Sequence, residues 1–213
     1  INIKDISDTP PSFTSDNNKT VDEEQTDAIT LVADDPDGDK ITYSIDGDDA
    51  DKFNINKTTG VITFKNKPDY EKRSTPYSFK AIVTDEGGRS TTQTITITLK
   101  NIDDNAPTFT SIDTKTVDEN TSTDAIMLMA DDVDGGKLTY SISGVDSSFF
   151  TLDADSGEII FNDIPDYDNN KTSYTFKATV KDTNSSSDTQ DINITIKNLN
   201  DNTPVFTSDN NKS

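Results

Sequence analysis

The chain has 213 residues, with 40 acidic residues against 19 Lys and Arg, no His, no Cys and a formal net charge of −21. That balance argues against nucleic acid as a partner and against direct contact with an anionic membrane, since both need clustered cations. Without His or Cys, the Ser-His-Asp and Cys-His nucleophiles, His-ligated zinc and disulfide staples are all excluded.

A hydrophobic fraction of 30% beside so large a charge approaches the disordered regime, and patterning decides against it. In chain order, strands are predicted near residues 13–21, 28–33, 40–46, 52–55, 61–64, 77–84 and 91–100. The stretch "YSFKAIVTD" puts Tyr77, Phe79, Ala81 and Val83 on one face. "TTQTITITLK" sets Ile95, Ile97 and Leu99 against Thr94, Thr96 and Thr98. A period of two, rich in β-branched and aromatic residues, marks half-buried strands, and no segment of useful length has helical periodicity.

The same series then returns. "PTFTS" at Pro107 recurs as "PVFTS" at Pro204, "TVDEE" as "TVDEN", "DKITYSI" as "GKLTYSI", "PDYE" as "PDYD" and "YSFKAIVTD" as "YTFKATVKD". The spacing is 96 or 97 residues throughout. The expected organisation is a linker from a preceding repeat (1–10), repeat 1 (11–106), repeat 2 (107–203) and the opening of a third (204–213). Seven short strands in about 100 residues predict an all-β chain of two tandem Greek-key, immunoglobulin-like β-sandwiches joined end to end. Phe13, Tyr43, Phe53, Phe64, Tyr70 and Phe79 are expected in the first core. Phe109, Tyr140, Phe149, Phe161, Tyr167 and Phe176 are expected in the second. Phe150, beside Phe149, lacks a partner in repeat 1 and is expected to fill a core position.

The acidic stretch "ADDPDGDK" (33–40) is not an EF-hand loop. Counted from Asp35, the required glycine falls on Lys40, and Gly38 arrives two residues early. Comparing the copies is more informative. Asp35 and Asp37 return as Asp132 and Asp134, while Asp39 becomes Gly136. Glu23 returns as Glu119, Asp69 as Asp166, Glu71 as Asp168, Asp85 as Asp182, and Asp104-Asn105 as Asp201-Asn202. Solubility needs no fixed positions, whereas a hard cation needs several converging oxygens, ~6–8 for calcium.

"NIDDNAPTF" (101–109) and "NLNDNTPVF" (198–206) resemble the cadherin linker D-x-N-D-N-x-P-x-F. "VDEN", "PDYE", "DPD" or "DVD" and "VTD" resemble, in order, the glutamate, D-x-E, D-x-D and A-x-D motifs of that family. The resemblance covers both repeats and implies about three calcium ions at a junction between repeats, with oxygen ligands from both and from the linker. At the central junction it implies Glu23, Asp69 and Glu71 from repeat 1. Asp103, Asp104 and the carbonyls of Ile102 and Asn105 come from the linker, and Asp132, Asp134 and Asp182 from repeat 2. An N-terminal partial site would use Asp8, Asp35, Asp37 and Asp85, and a C-terminal one Glu119, Asp166, Asp168, Asn200 and Asp201. Both end sites are expected to bind weakly or be partly filled, because Ser7 and Thr9 replace linker asparagines and the D-x-D that would complete the C-terminal junction is not within these 213 residues.

Two functions fit. In the first, calcium rigidifies the repeats of a large extracellular, cell-surface protein for calcium-dependent adhesion or for presenting a distal domain. In the second, a sandwich binds carbohydrate or protein and calcium is structural. The partner is then calcium with either a homophilic contact or a surface glycan or protein. No catalysis is expected, since the acids common to both copies sit at strand ends where no cleft is implied. The family's exchange of an N-terminal tryptophan strand is excluded for these repeats, which lack Trp. The Asp-, Asn- and Thr-rich, cysteine-free composition suits a bacterial surface adhesin better than an animal protein.

Overall fold

The computed structural model describes residues 9–121, 123–169 and 171–206. Asp8 and the stretch from 207 onwards, expected to belong to flanking repeats, lie outside them. The chain divides into two compact units, residues 1–102 and 103–213.

The first unit contains β1 (Ser12–Phe13), β2 (Asn18–Asp22), β3 (Asp27–Thr30), β4 (Ala33–Asp34), β5 (Thr42–Asp46), β6 (Phe53–Ile55), β7 (Val61–Phe64), β8 (Tyr77–Thr84) and β9 (Ser90–Lys100). A four-stranded sheet of order β2-β9-β8-β5 and a three-stranded sheet of order β3-β7-β6 share one core, with β1 and β4 pairing separately. The alternation read from the sequence is the burial seen: Tyr77, Phe79, Ala81 and Val83 are buried on β8, and Ile95, Ile97 and Leu99 on β9. Phe53 of one layer meets Phe79 of the other at a ring separation of 4.7 Å. Each such ring, taken fully out of water, contributes roughly 1.5–3 kcal/mol.

Among the described residues of this unit nine strands stand where seven were predicted, because the first two are each broken. The first begins as β1, antiparallel to β4. It then bends at residues 14–17 and continues as β2, parallel to β9. One predicted strand thus serves two sheets, and the break between β3 and β4 falls at Leu31 and Val32. There the Leu31 N–H is taken by the Gly60 carbonyl at 2.9 Å instead of by a neighbouring strand.

The second unit repeats the plan with β10 (Thr108–Phe109), β11 (Thr114–Asp118), β12 (Asp124–Met127), β13 (Ala130–Asp131), β14 (Thr139–Ser143), β15 (Phe150–Leu152), β16 (Glu158–Phe161), β17 (Ser173–Lys181) and β18 (Ser187–Lys197). Its sheets run β11-β18-β17-β14 and β12-β16-β15, with β10 paired to β13. Phe150 faces Phe161 in register as Phe53 faces Phe64, so Phe150 is the core residue. Phe149, expected in the core, occupies the place of Lys52 and is 45% exposed. Neighbouring strand residues point to opposite faces, so a one-residue offset reverses inside and outside. Tyr167 is likewise 38% exposed, whereas Tyr70 packs against its core.

Candidate metal centre

Carboxylates gather at both ends of each sandwich. Because β8 and β9 are antiparallel, the turn between them lies at the opposite end from Lys100, where the chain leaves the unit. The exit end of the first unit holds Glu23, Asp69 and Glu71, each with an oxygen within 4.8 Å of the others. Glu23 sits where β2 stops and is 2% exposed. Its Oε2 accepts the Tyr70 N–H at 2.5 Å and its Oε1 the Ile102 N–H at 2.9 Å. The next residue, Glu24, adopts a left-handed φ of 59° and donates its N–H to the Pro68 carbonyl at 2.9 Å. That kink turns the Glu23 side chain inward.

The second unit rebuilds this end on the same plan, with Glu119 for Glu23, Asn120 for Glu24 and Asp168 for Glu71. Glu119 is fully buried and accepts the Tyr167 N–H at 2.5 Å and the Leu199 N–H at 2.7 Å. Asn120 follows with φ 56°, and Asp166 and Asp168 complete the cluster. One neighbour differs. In the first unit Lys72 places its ammonium 2.5 Å from Asp69 Oδ2, and this hydrogen bond, with the Lys72 backbone N–H, holds the Asp69 carboxyl below the usual range. In the second unit Asn169 takes that position, and its side-chain amide lowers Asp166 in the same way. Asp201 accepts from the Asn120 amide at 2.7 Å, Asn202 donates to Asp168, and Asn200 is exposed, outside the cluster.

At the other end of the second unit, Asp103, Asp132 and Asp134 converge within 4.8 Å, all half-buried. Asp134 organises the segment before them. Its Oδ2 accepts the N–H of Asp104 at 2.9 Å and of Asn105 at 2.6 Å, and its own N–H donates to Asp132 Oδ1 at 2.9 Å. In the first unit Asp37 plays the matching part, accepting the Thr9 N–H at 2.8 Å. The cluster there comprises Asp35, Asp39 and Asp85. Asp39 was not expected, because its counterpart is Gly136; the turn through Gly38, at φ 75°, brings it back beside Asp35. Asp85 and Asp182 are buried beyond the ends of β8 and β17, bonding Arg89 N–H and Ser186 N–H.

Seven buried side-chain atoms lack a hydrogen-bond partner among the described residues. Five are aspartate oxygens at these sites: Asp35 Oδ2, Asp39 Oδ2, Asp103 Oδ1, Asp132 Oδ2 and Asp182 Oδ2. Burying a charged oxygen unpaired is costly, so such atoms call for a partner. An all-oxygen donor set of this kind fits a hard divalent cation and not a soft one.

A family model described as "Cadherin domain" matches residues 17–100, and one described as "Bacterial Ig domain" matches residues 104–195. Protocadherin Fat 1 of Homo sapiens is 32% identical over 227 residues, covering 98% of this chain. The chain belongs to the cadherin family. Neural-cadherin of Drosophila melanogaster is 33% identical over 163 residues, 72% of the chain. These cadherin repeats span only 5% of the length of each of those two relatives. Among solved structures, human Protocadherin-24 EC1-2 superposes with a TM-score of 0.77 at 22% identity, over 89% of this chain and 98% of that one. Mouse Cadherin-23 EC22-24 gives 0.73 at 23% identity, over 92% and 67%. At those identities the superpositions speak for the fold. Among the described residues no helix is long and apolar enough to cross a membrane.

Proposed function

We propose that these repeats bind calcium through the carboxylates at their ends, and that calcium joining repeat 1 to repeat 2 stiffens a cell-surface, extracellular protein for adhesion or for presenting a distal domain. The observation that carries this reading is the set of buried aspartate oxygens left without partners at the ends of the sandwiches. The ligands would be Glu23, Asp69 and Glu71 of repeat 1, Asp103, Asp104 and the carbonyls of Ile102 and Asn105, and Asp132, Asp134 and Asp182 of repeat 2. Asp35, Asp37 and Asp85, with Asp39 added, would serve a further site, as would Glu119, Asp166, Asp168 and Asp201.

Elementary electrostatics supplies the mechanism. Eight carboxylates without a counter-ion repel one another, and about three divalent ions would nearly neutralise them. Because the ion binds the folded chain, it also adds stability, about 2.7 kcal/mol at a hundredfold excess over Kd. The chain's own part is to hold the oxygens ready: Glu23 is pinned by two backbone N–H groups and Asp134 by two more. In this reading the repeats are structural and adhesive, with no catalytic role.

A calorimetric calcium titration of the metal-stripped chain tests it. About three tight ions, lost in the Asp103→Ala, Asp132→Ala double variant, are expected. No heat of binding up to millimolar calcium would overturn the proposal.

A further inference from the structure

A cavity of about 430 Å³ opens in the first repeat, between the 3-10 turn Ala50–Lys52, the segment after β7 and the loop leading to β8. Five of the chain's 19 basic residues line it: Lys52, Lys65, Lys67, Lys72 and Arg73. Only three lining carboxylates oppose them, Glu24, Asp51 and Asp69. Asp49, just outside the lining, pairs with Arg73, so five cations face four carboxylates and the cavity is a spot of net positive charge on a chain whose net charge is −21. Phe64 and Tyr77 supply an apolar wall, over which Arg73 is fixed with its guanidinium carbon 4.0 Å from the Tyr77 ring centre.

The second repeat acts as an internal control. Its backbone forms a cavity at the same place, reduced to about 140 Å³. Phe149 replaces Lys52 and packs against Tyr174 at 5.3 Å, while Asn162, Ile164 and Asn169 replace Lys65, Lys67 and Lys72. Lys171 is its one basic lining residue. Copies that keep the same sheets thus differ at eight of the twelve lining positions. Among these, five lose a cation, one of them to Phe149, which fills space, and two lose an acid (Glu24 and Asp51 become Asn120 and Ser148).

We propose that the first-repeat cavity binds an acidic saccharide, carrying carboxylate or sulfate groups. Its volume suits a sugar unit, since small-ligand sites run from about 300 to 1,000 Å³. The ammonium groups come from three separate segments, so they can meet charges spread around a ring instead of one phosphate. Lys52, Lys67 and Lys72 do lean on Asp51, Glu24 and Asp69, at 2.9, 3.5 and 2.5 Å. Those pairs are exposed, with lysine side chains 53%, 61% and 84% accessible, and an arriving anion can recruit such lysines because exposed pairs are weak. Lys65 takes part in no ion pair among the described residues. The site needs no calcium, but it shares Asp69 with the calcium site proposed above, so its test is made without calcium.

The test is an amide NMR titration of the whole chain in EDTA with a sulfated heparin disaccharide, its unsulfated counterpart and inorganic phosphate. Saturable shifts at residues 52, 65–67 and 72, absent from residues 149, 162–164 and 169, are expected with the sulfated sugar alone. Lys65→Asn with Lys67→Ile, residues the second repeat already accommodates, should weaken binding about tenfold or more. The reciprocal Asn162→Lys, Ile164→Lys change should create shifts in repeat 2. Three outcomes would overturn the proposal: shifts spread evenly over lysines elsewhere, such as Lys19 and Lys80; equal binding of phosphate; or no shift at 10 mM sugar, roughly the weak limit for a specific small ligand.

Discussion

Arg73 grips Asp49 with both arms of its guanidinium, Nη1 to Oδ1 at 2.7 Å and Nη2 to Oδ2 at 2.9 Å. Asp49 also accepts the Ser78 N–H at 2.8 Å, so one carboxylate ties the loop before β8 to the strand itself. The second repeat performs the same tie with different parts. Asp146 accepts the Lys171 ammonium at 2.5 Å and the Thr175 N–H at 2.8 Å. Its cation stands one position later in the repeat than Arg73, so a comparison of aligned positions misses it.

This relationship sets a pH dependence. The Arg73 hydrogen bonds hold the Asp49 carboxyl below its ordinary value, and Lys171 does the same for Asp146. A carboxyl depressed in the folded state stabilises above its unfolded pKa of about 3.9, and that contribution is lost as pH falls through the folded value. Asp49→Asn should therefore cost roughly 1–3 kcal/mol at pH 7. The gap in urea midpoint between variant and parent should narrow as pH falls below about 3.9 and close once pH is below the depressed folded value. A gap that persists there would show that the cost is packing rather than charge.

Gly60 is fixed by two constraints. Its φ is 70°, and a Cβ there would lie 2.3 Å from the Leu31 carbonyl oxygen; Gly157 repeats both features against Leu128. Gly60→Ala should destabilise repeat 1 by roughly 2–3 kcal/mol, read as a lower denaturant midpoint.

Ser185 has φ 74°, where the first repeat carries Gly88 at φ 84°. A left-handed serine costs about 1–2 kcal/mol, and glycine returns about 0.5–1 of that in chain entropy. Ser185→Gly should then stabilise the chain by about 0.5 kcal/mol net. An unchanged or lower melting temperature would count against strain at this turn.

Lys72 occupies part of the proposed calcium site at Asp69, and a calcium ion must displace it. Lys72→Asn, the residue repeat 2 has, should tighten calcium binding by a factor of about two to five, the scale of one exposed ion pair. Titration calorimetry at fixed ionic strength reads this directly. Calcium affinity should also fall below about pH 5, because its ligands are carboxylates.

Much of this protein was legible in one dimension. The period-two runs placed the strands, and the 96- or 97-residue repeat picked out acids fixed by position. Glu23, Asp69 and Glu71 were picked out this way, as were Asp132 and Asp134, because two copies of one fold separate acids held in common from acids that vary; Asp103, whose counterpart is Asn200, was marked only by the linker's resemblance. That information is local or repetitive, which is why a sequence displays it.

What only the tertiary structure decided depends on convergence and on side. Phe150, not Phe149, enters the core because the cross-strand register with Phe161 sets which face is inward. Asp39 joins Asp35 and Asp85 through a left-handed turn at Gly38, although the second repeat lacks it. The Glu23 carboxylate bridges Tyr70 and Ile102, residues 47 and 79 positions away. The five cations of the first-repeat cavity likewise come from segments that only the packed sandwich brings together. Alternation is written residue by residue, but which oxygens and which charges meet is fixed by backbone dihedrals and packing far along the chain.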